Sequence, residues 1–270
     1  MGEKKRKKIG SIWLFPLLGI LFIFSAWYLI AGVLSSKGNY GVPYPHESIA
    51  LAFSFLFLDG AKKTWIAIFW TLLRIFIGLS MSFLLGGVFG ILAGLFKPFR
   101  YFAKPVIGLL RAIPTVAVVL VLVAIIMGGR AHEWLSWVPV ALTFVVAFPL
   151  FFEAFQSGIL SESRDIKDSL SLEGASKSLR SVKEVYLPDS WPFIKMSLAQ
   201  SVGLGFKVSI MAEVLTNTSS GKIGLGTLIV LSRQTDGGIA EIPAYALIAL
   251  FLMAIFDLPF FFIKIRKDNQ

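Results

Sequence analysis

The chain has 270 residues, of which 56% are hydrophobic, and its mean hydropathy of +0.77 is well above that of a soluble domain. It contains no cysteine and only two histidines, which excludes a disulfide framework, a thiol nucleophile and a histidine-rich metal site. The formal net charge of +10 lies mostly next to apolar runs, a pattern typical of membrane orientation rather than of nucleic-acid binding.

The first apolar segment, Ile12–Leu34, follows the basic residues Met1–Lys8. It is long enough to cross a hydrocarbon core of ~30 Å and longer than the apolar region of a cleaved signal peptide. We therefore expect a retained transmembrane helix. The apolar segment Ser48–Leu58 follows Pro43-Tyr-Pro45 and is too short to span, so we expect a helix lying on the outer surface.

The rest of the chain contains five further apolar segments of spanning length. They are Trp65–Leu95, Pro105–Met127, Trp137–Phe155, Met196–Leu215 and Pro243–Ile263. The sequence therefore predicts an all-α membrane protein with six transmembrane helices. The second segment exceeds one straight crossing, so it is expected to tilt or to begin as an interfacial helix.

The distribution of lysine and arginine predicts the orientation. With the N-terminus inside, seventeen of these residues lie in inner segments and six in outer segments, so both termini are expected to be cytosolic. We divide the chain into 1–64 (tail, first helix and external segment), 65–263 (a five-helix core with the cytosolic loop 158–195) and 264–270 (cytosolic tail).

The loop between the fourth and fifth spans is long and charged. Simple connections need about 2–8 residues, so a docking helix is favoured over a solvated connector. Acidic residues precede basic ones, which suits a helix dipole. Gly174 permits a tight turn, and Leu187-Pro188 is expected to end the helical segment. The charged residues in question are Asp165, Asp168, Glu173, Lys177, Arg180 and Lys183.

Four charged residues lie within or at the edges of the predicted spans: Arg74, Arg111, Lys207 and Glu213. Each is costly there unless it is paired, hydrated or near an interface. With Pro114 they are candidates for a pathway or gate, and structural pairing or snorkelling remains an equal alternative. Lys207 and Glu213 are six residues apart and do not share a helix face, so each is expected to meet another helix.

Glycines and prolines interrupt the spans. Gly86, Gly90 and Gly94 form small-xxx-small pairs, for which internal helix packing is favoured over a dimer face. Pro114, Pro149 and Pro259 are expected to bend helices.

Three polar segments carry weak signals. The run Ser219-Ser-Gly221-Lys-Ile-Gly224-Leu-Gly226 lacks the ending of a phosphate-binding loop and is expected to be an external turn. His46-Glu47 and His132-Glu133 are expected to be surface features. The sequence thus predicts no catalytic residue, no metal site and no ATPase machinery in this chain.

The charged loop also carries a family resemblance. The permease subunits of bacterial ABC importers have an EAA loop, with an acidic-Ala-Ala start, a glycine and then Leu-Pro. The chain has a similar pattern in Leu172-Glu-Gly174-Ala-Ser-Lys-Ser-Leu-Arg-Ser-Val-Lys-Glu-Val-Tyr-Leu187-Pro188. Further motifs in the same order resemble the taurine, nitrate and alkanesulfonate branch. These are Val42-Pro-Tyr-Pro45, Thr71-Leu-Leu-Arg74 with Gly78, Leu110-Arg111-Ala-Ile-Pro114, Phe206-Lys207, Ala212-Glu213 and Gly224-Leu-Gly226.

The chain departs from the family pattern in three ways. Asp168-Ser-Leu replaces the acidic-Ala-Ala start, Phe206 replaces a tryptophan, and Pro188 lies one residue further from Gly174 than usual. One added residue turns the rest of a helix by about 100°. The loop is therefore expected either to present an altered face or to contain a bulge.

The resemblance implies a type I ABC importer permease in the bacterial inner membrane. Two copies would form the pathway, cytosolic ATP-binding subunits would use ATP and Mg²⁺, and an extracytoplasmic protein would deliver the cargo. This chain itself would bind no cofactor and no nucleic acid. The cargo would be a sulfonate, taurine, nitrate or a thiamine-precursor pyrimidine. The ATPase contact would involve Asp168, Glu173, Gly174, Ala175, Leu187 and Pro188.

Two other function classes remain open from the residues alone. An integral-membrane enzyme would use His132, Glu133 and Glu213 as reactive groups, although no intramembrane catalytic cluster is evident. A secondary carrier would transport alone and ignore ATP, but the chain shows no convincing internal repeat.

Overall fold

Helices follow one another with short connections along the chain. A computed structural model describes residues 2–38, 42–129, 132–216, 222–234 and 240–268, with the side chains of 2–14, 16, 132 and 257–268 outside the description. Within these ranges there is no strand, which confirms the predicted all-α fold. The α-helices are α1 (Gly2–Ser36), α2 (Pro45–Phe57), α3 (Ala61–Leu95), α4 (Lys97–Ala112), α5 (Thr115–Met127), α6 (Val138–Ser161), α7 (Arg164–Leu172), the single turn α8 (Leu179–Ser181), α9 (Leu187–Thr216), α10 (Leu225–Ser232) and α11 (Glu241–Asp268); a 3₁₀ segment covers His132–Trp137 and a π-helical turn covers Val182–Tyr186.

Four helical segments in the described chain are long and apolar enough to cross a membrane. They are Leu17–Ser36, Ala61–Leu95, Glu133–Ser161 and Leu179–Thr216. They correspond to the first, second, fourth and fifth predicted spans. The bent pair α4 and α5 adds a fifth crossing if it is counted as one span. The sixth span lies in α11, where the described side chains end at Phe256, so the count of six stays a prediction.

The chain divides into two compact units, and the smaller comprises residues 1–64 and 229–249. In it, the segment after α1 is fixed by side chains. The Trp27 indole donates to the Pro43 carbonyl at 3.0 Å, and the Tyr28 hydroxyl lies 3.0 Å from His46 Nδ1. The Tyr44 amide donates to Glu47 Oε2 at 3.0 Å at the start of α2. His46 and Glu47 therefore have structural contacts here, and α2 confirms the predicted helix after Pro43-Tyr-Pro45.

The larger unit comprises residues 65–228 and 250–270, and glycines bring its helices close together. A Cβ atom at Gly90 of α3 would overlap the Phe152 carbonyl oxygen of α6. One at Gly94 would lie 2.8 Å from the Ile159 Cβ atom. Gly86 likewise faces α6. The small-xxx-small pairs of α3 therefore serve internal packing, as favoured from the sequence.

Helix α6 also packs closely on α9. A Cβ atom at Gly158 would overlap the Ser190 side chain, so the two backbones approach each other at the inner end of α6. Further along, an apolar cluster joins α5, α6 and α9. Its fully buried members are Val119, Val138, Leu142, Val208 and Ala212. Helix α9 is thereby held along its length by α6.

The predicted single span Pro105–Met127 is divided by a bend of 90° between α4 and α5. Ile113 and Pro114 both adopt extended backbone conformations, with ψ angles of 125° and 123°. Proline disfavours helix in the residue before it, and its ring cannot continue the preceding helix. Helices α6 and α11 continue past Pro149 and Pro259, so a bend at these two residues stays a prediction.

The close approach of α3 and α6 gives the first prediction. Gly90→Ala should cost about 1–3 kcal/mol of stability because the new methyl group must displace the backbone of α6. Gly108→Ala is the matched control, because a Cβ atom at Gly108 would have nothing within 4 Å. This variant should be more stable by about 0.5–1 kcal/mol, since alanine favours a helix more than glycine does. Thermal unfolding in detergent would measure both. Equal midpoints for the two variants would contradict this packing.

Candidate functional site

A buried ion pair joins two of the charged residues singled out from the sequence. Arg74 of α3 and Glu213 of α9 are each 1% exposed, and Arg74 Nη1 lies 2.7 Å from Glu213 Oε1. They are 139 residues apart in the chain. Glu213 therefore does meet another helix, as expected, and the structural-pairing alternative holds for both residues.

Backbone and hydroxyl groups complete the shell around this pair. The Thr71 hydroxyl donates to the Glu213 carboxylate at 2.9 Å and accepts from the Leu225 amide at 2.9 Å. The Gly226 amide donates to Glu213 Oε2 at 2.9 Å, and Arg74 Nη2 donates to the Lys222 carbonyl at 2.5 Å. Buried charges are tolerated when paired and hydrogen-bonded in this way.

The segment Lys222–Gly226 packs directly on the ion pair. A Cβ atom at Gly224 would overlap the Glu213 carboxylate, and one at Gly226 would overlap the Ile210 carbonyl. The two glycines are thus explained by close approach of the backbone. Residues 217–221, which begin the predicted external turn, lie outside the described chain.

The Lys222 side chain lies between two tryptophans of the same unit. Its Nζ is 5.5 Å from the Trp70 ring centroid and 5.1 Å from that of Trp137. Both distances are within the range of cation–π attraction. Main chain and side chain of Lys222 thus hold this segment against α3 and the 3₁₀ segment His132–Trp137.

Arg111 lies near the bend between α4 and α5 and pairs with a residue that sequence reasoning missed. Its Nη2 is 2.5 Å from Glu153 Oε2 of α6, and both side chains are about two-fifths exposed, at 43% and 39%. The pair fixes the end of α4 to α6 three residues before Pro114. A single glutamate inside the apolar run Trp137–Phe155 was the signal that could have identified Glu153.

Lys207 differs from the other charged candidates. It is exposed on α9, and no described residue forms a hydrogen bond or ion pair with it. The neighbouring residue Phe206 is buried, with its ring 5.4 Å from that of Phe256. The aromatic residue that replaces the family tryptophan is therefore a packing residue, and the lysine beside it points away from the protomer's interior.

The charged loop contains a helix that ends in a glycine turn. Ser163 begins α7 by accepting a hydrogen bond from the Ile166 amide. At the other end, the Gly174 amide donates to the Ser171 carbonyl, and the Ala175 amide donates to the Leu170 carbonyl at 2.8 Å. This is a Schellman motif, and Gly174 has the positive φ of 67° that the motif favours. Asp168 and Glu173 are exposed on this helix end.

Two leucines flank this turn on the loop surface. Leu172 is 90% exposed and Leu179 is 88% exposed, which are the largest values among the exposed large hydrophobic residues described. Gly174 has nothing within 4 Å of its Cβ position, so the surface between them is open. The turn therefore presents two large apolar side chains on the surface of the loop.

The end of the loop differs from the sequence prediction, because Leu187-Pro188 does not terminate the helix. Leu187 has helical angles, and the helical chain continues from Leu179 to Thr216. A π-helical turn at Val182–Tyr186 precedes it, in which the Leu187 amide donates to the Val182 carbonyl. Pro188 lies in the first turn of α9, where a proline is tolerated because its missing N–H group is not needed. The changed hydrogen-bond pattern of the π-helical turn before it lets the helical chain continue. The expected alternative of a bulge is thus the one observed.

The inner side of the loop is anchored to the transmembrane helices. Val182 and Tyr186 pack in a buried cluster with Ile159 of α6. The Ser181 hydroxyl donates to the Ala175 carbonyl at 2.8 Å, and the Ser190 hydroxyl donates to the Tyr186 carbonyl at 2.6 Å. On the opposite side, Lys177 Nζ lies 5.1 Å from the Phe96 ring centroid, at the junction of α3 and α4.

Two carboxyl groups meet where α6 enters the loop. A hydrogen bond with Asp189 raises the pKa of Glu162 above its usual value, and burial adds to the shift. Lys167 lies beside the pair, donating to the Glu162 carbonyl at 2.8 Å.

The ion pair gives the second prediction. Glu213→Gln or Arg74→Gln should each cost about 3–5 kcal/mol, because either change leaves a buried polar or charged partner uncompensated. The double variant Arg74→Gln with Glu213→Gln should cost less than the sum of the two single changes, because it removes both charges together. Arg180→Gln, which breaks the exposed pair with Glu184, should cost about 0–1 kcal/mol.

Unfolding of the four variants in the same detergent would measure these differences. A double variant as unstable as the sum of its singles would show that the two charges are not coupled.

Comparisons with known proteins agree with this architecture. Residues 86–265 match the model of the family described as binding-protein-dependent transport system inner membrane component. A protein of Bacillus subtilis (strain 168) described as an aliphatic sulfonates transport permease protein, SsuC, is 26% identical over 235 residues, which is 85% of this chain and 77% of that protein.

A solved structure shows the same fold. It is the crystal structure of a bacterial alginate ABC transporter in complex with an alginate pentasaccharide-bound periplasmic protein. One of its chains aligns with a TM-score of 0.60 and 17% identity, covering 93% of this chain and 94% of that one. The family resemblance found in the motifs is thereby confirmed: the chain belongs to the binding-protein-dependent transport system inner membrane component family, the permeases of ABC importers.

Proposed function

We propose that this permease is the coupling and translocating subunit of an ATP-driven importer of small organic anions, and that the loop 158–195 is its contact with a separate cytosolic ATPase. The observation that carries the proposal is the pair of exposed leucines, Leu172 and Leu179, on either side of a turn fixed by Gly174. Exposed apolar side chains on a polar loop indicate a covered surface.

The construction of the loop supports docking over a solvated connector. A connector needs no buried anchor, whereas this loop is held by the cluster of Ile159, Val182 and Tyr186. The exposed surface of the loop carries the apolar side chains of Leu172 and Leu179. Its buried surface packs against α6. A partner that pushes on the leucines would therefore move the transmembrane helices rather than deform the loop.

The helical chain from Leu179 to Thr216 gives a path for that movement. At 1.5 Å per residue its 38 residues extend about 57 Å. It begins in the loop and carries both Lys207 and Glu213. We infer that closure of the ATPase subunits shifts this helix between two arrangements, and that the shift opens the pathway alternately to the two sides. ATP and Mg²⁺ would be bound by the ATPase, not by this chain.

The cargo is inferred to be an anion that meets Lys207. A permanent cation exposed on an apolar span is costly in lipid, so a hydrated pathway is its natural surrounding. An apolar groove of this unit, about 600 Å³, has Leu72, Phe76, Phe83 and Phe206 in its lining and suits a sulfonate poorly. The relative named for aliphatic sulfonates supports a sulfonate as the first cargo to test.

The remaining assembly follows the same proposal. Two copies of the chain would enclose the pathway, with both termini cytosolic and an extracytoplasmic binding protein delivering the anion. A periplasmic protein is bound in the alginate transporter that shares the fold. The enzyme alternative loses support because the Glu213 carboxylate is already occupied by Arg74, Thr71 and the Gly226 amide.

The third prediction tests the docking surface. Replacing Leu172 and Leu179 together by Asn should abolish co-purification of the ATPase encoded with this permease and stop uptake in vesicles. Ser171→Asn is the matched control, since it adds the same amide at the exposed neighbour of Leu172. Unchanged co-purification of the double Asn variant would sink the docking proposal.

Substitutions at Gly174 can distinguish two requirements for docking, namely the backbone conformation of the turn and the free space beside it. Gly174→Asn should retain ATPase binding because asparagine tolerates a positive φ, whereas Gly174→Trp should block the approach of the partner. Normal ATPase binding by Gly174→Trp would show that no partner approaches the turn closely at this glycine.

The fourth prediction concerns the pathway. Lys207→Gln should reduce sulfonate uptake at least tenfold per assembled complex while ATPase co-purification stays normal. Lys195→Gln is the control on the same helix, since Lys195 lies over the Trp191 ring near the loop. Uptake at the wild-type rate in the Lys207→Gln variant would remove Lys207 from the pathway.

A further inference from the structure

Helix α4 has three distinct faces along its sixteen residues. One face packs inside the unit, where Ala103 and Ile107 are buried and form a cluster with Ala93 of α3 and Phe152 of α6. Phe99 and Leu110 pack at the edges of this cluster. This face holds the helix against the protein and leaves the two other faces uncovered.

The second face is basic. Lys97, Arg100, Lys104 and Arg111 follow one another at intervals of three, four and seven residues, and the helix contains no acidic residue. Arg100 is engaged with the Ala93 and Gly94 carbonyls at the end of α3, and Arg111 is engaged with Glu153. No described residue pairs with Lys97 or Lys104, and both are exposed.

The third face is apolar and lies roughly opposite the basic one. Phe102 is 70% exposed, Leu109 is 65% exposed, and Val106 lies between them at 44%. A helix with lysines on one side and large apolar residues on the other is typical of segments that lie in the membrane interface.

The position of α4 agrees with an interfacial location. It begins two residues after the end of α3, which is long enough to cross the membrane completely. Its axis is at 90° to α5, so it cannot run parallel to that helix across the bilayer. With the apolar helix α5 directed into the membrane, α4 lies near the membrane plane, at the surface where the charge distribution of the chain predicts the cytosol.

We propose that α4 is an interfacial helix that binds the headgroups of anionic phospholipids through Lys97 and Lys104, with Phe102, Val106 and Leu109 inserted among the acyl chains. Charge complementarity favours lipid over a second copy of the chain. A second copy could cover the apolar face, but its own α4 would bring more cationic residues and no acid to neutralise the lysines. Anionic headgroups provide that charge.

Lipid binding can be measured on the purified full chain without any ATPase. In nanodiscs of phosphatidylcholine with increasing phosphatidylglycerol, spin-labelled phosphatidylglycerol should be retained preferentially and in a salt-sensitive way. The double change Lys97→Gln with Lys104→Gln should reduce this preference about tenfold. The matched control is Lys62→Gln with Lys63→Gln, a pair of exposed lysines at the start of α3. An unchanged preference in the Lys97/Lys104 variant would overturn the proposal.

A second measurement gives the depth of α4 in the membrane. The chain has no cysteine, so one introduced cysteine carries the only spin label. A spin label at Phe102→Cys should be accessible to oxygen in the acyl region, and one at Lys104→Cys to a water-soluble relaxant. Dipolar broadening between two Phe102→Cys labels would show a second copy on this face and refute the lipid assignment. Failure of ATPase docking or of uptake would leave both results unaffected, so the two proposals are tested separately.

Discussion

The architecture depends on one requirement, namely that charged and polar groups within the hydrocarbon region must be satisfied by the protein itself. The Arg74–Glu213 pair meets this requirement by bringing together α3, α9 and the segment Lys222–Gly226. Neither charge is stable in its position without the other. The close approach of the glycine-containing segment follows from the pair as well, since any side chain at Gly224 would displace the carboxylate. A single interaction therefore fixes three parts of the larger unit.

Local chemistry made much of the fold predictable from the sequence. Long apolar runs predicted the spanning helices, and the glycines of α3 predicted close packing, because both signals are carried by neighbouring residues. Pro114 was recognised as a bend, although its size of 90° depends on the packing of α4 against α6. Leu187-Pro188 was wrongly expected to end a helix. The helix continues through a π-helical turn instead, which the extra residue before Pro188 had indicated only as one of two alternatives.

The candidate site was predictable as a set of residues but not as a set of contacts. Arg74, Arg111, Lys207 and Glu213 were each identified by their cost in an apolar span, a property of single positions. Their partners required the tertiary structure, since Arg74 and Glu213 are 139 residues apart and Glu153 was missed altogether. In the structure, Arg74, Glu213 and Arg111 pair with protein groups. Of these four residues, Lys207 is exposed and has no partner among the described residues.

The π-helical turn at Val182–Tyr186 has a consequence for how this family changes over time. A turn with an i to i+5 hydrogen bond holds one residue more than an α-turn, so a residue can be gained at this point without rotating the helix beyond it. The leucine-bearing turn and the transmembrane part of α9 can then keep their mutual orientation while the count of residues between them differs. An insertion of one residue at this turn need not disrupt the fold. The number of residues between two loop motifs is therefore a poor guide to whether two such permeases dock in the same way.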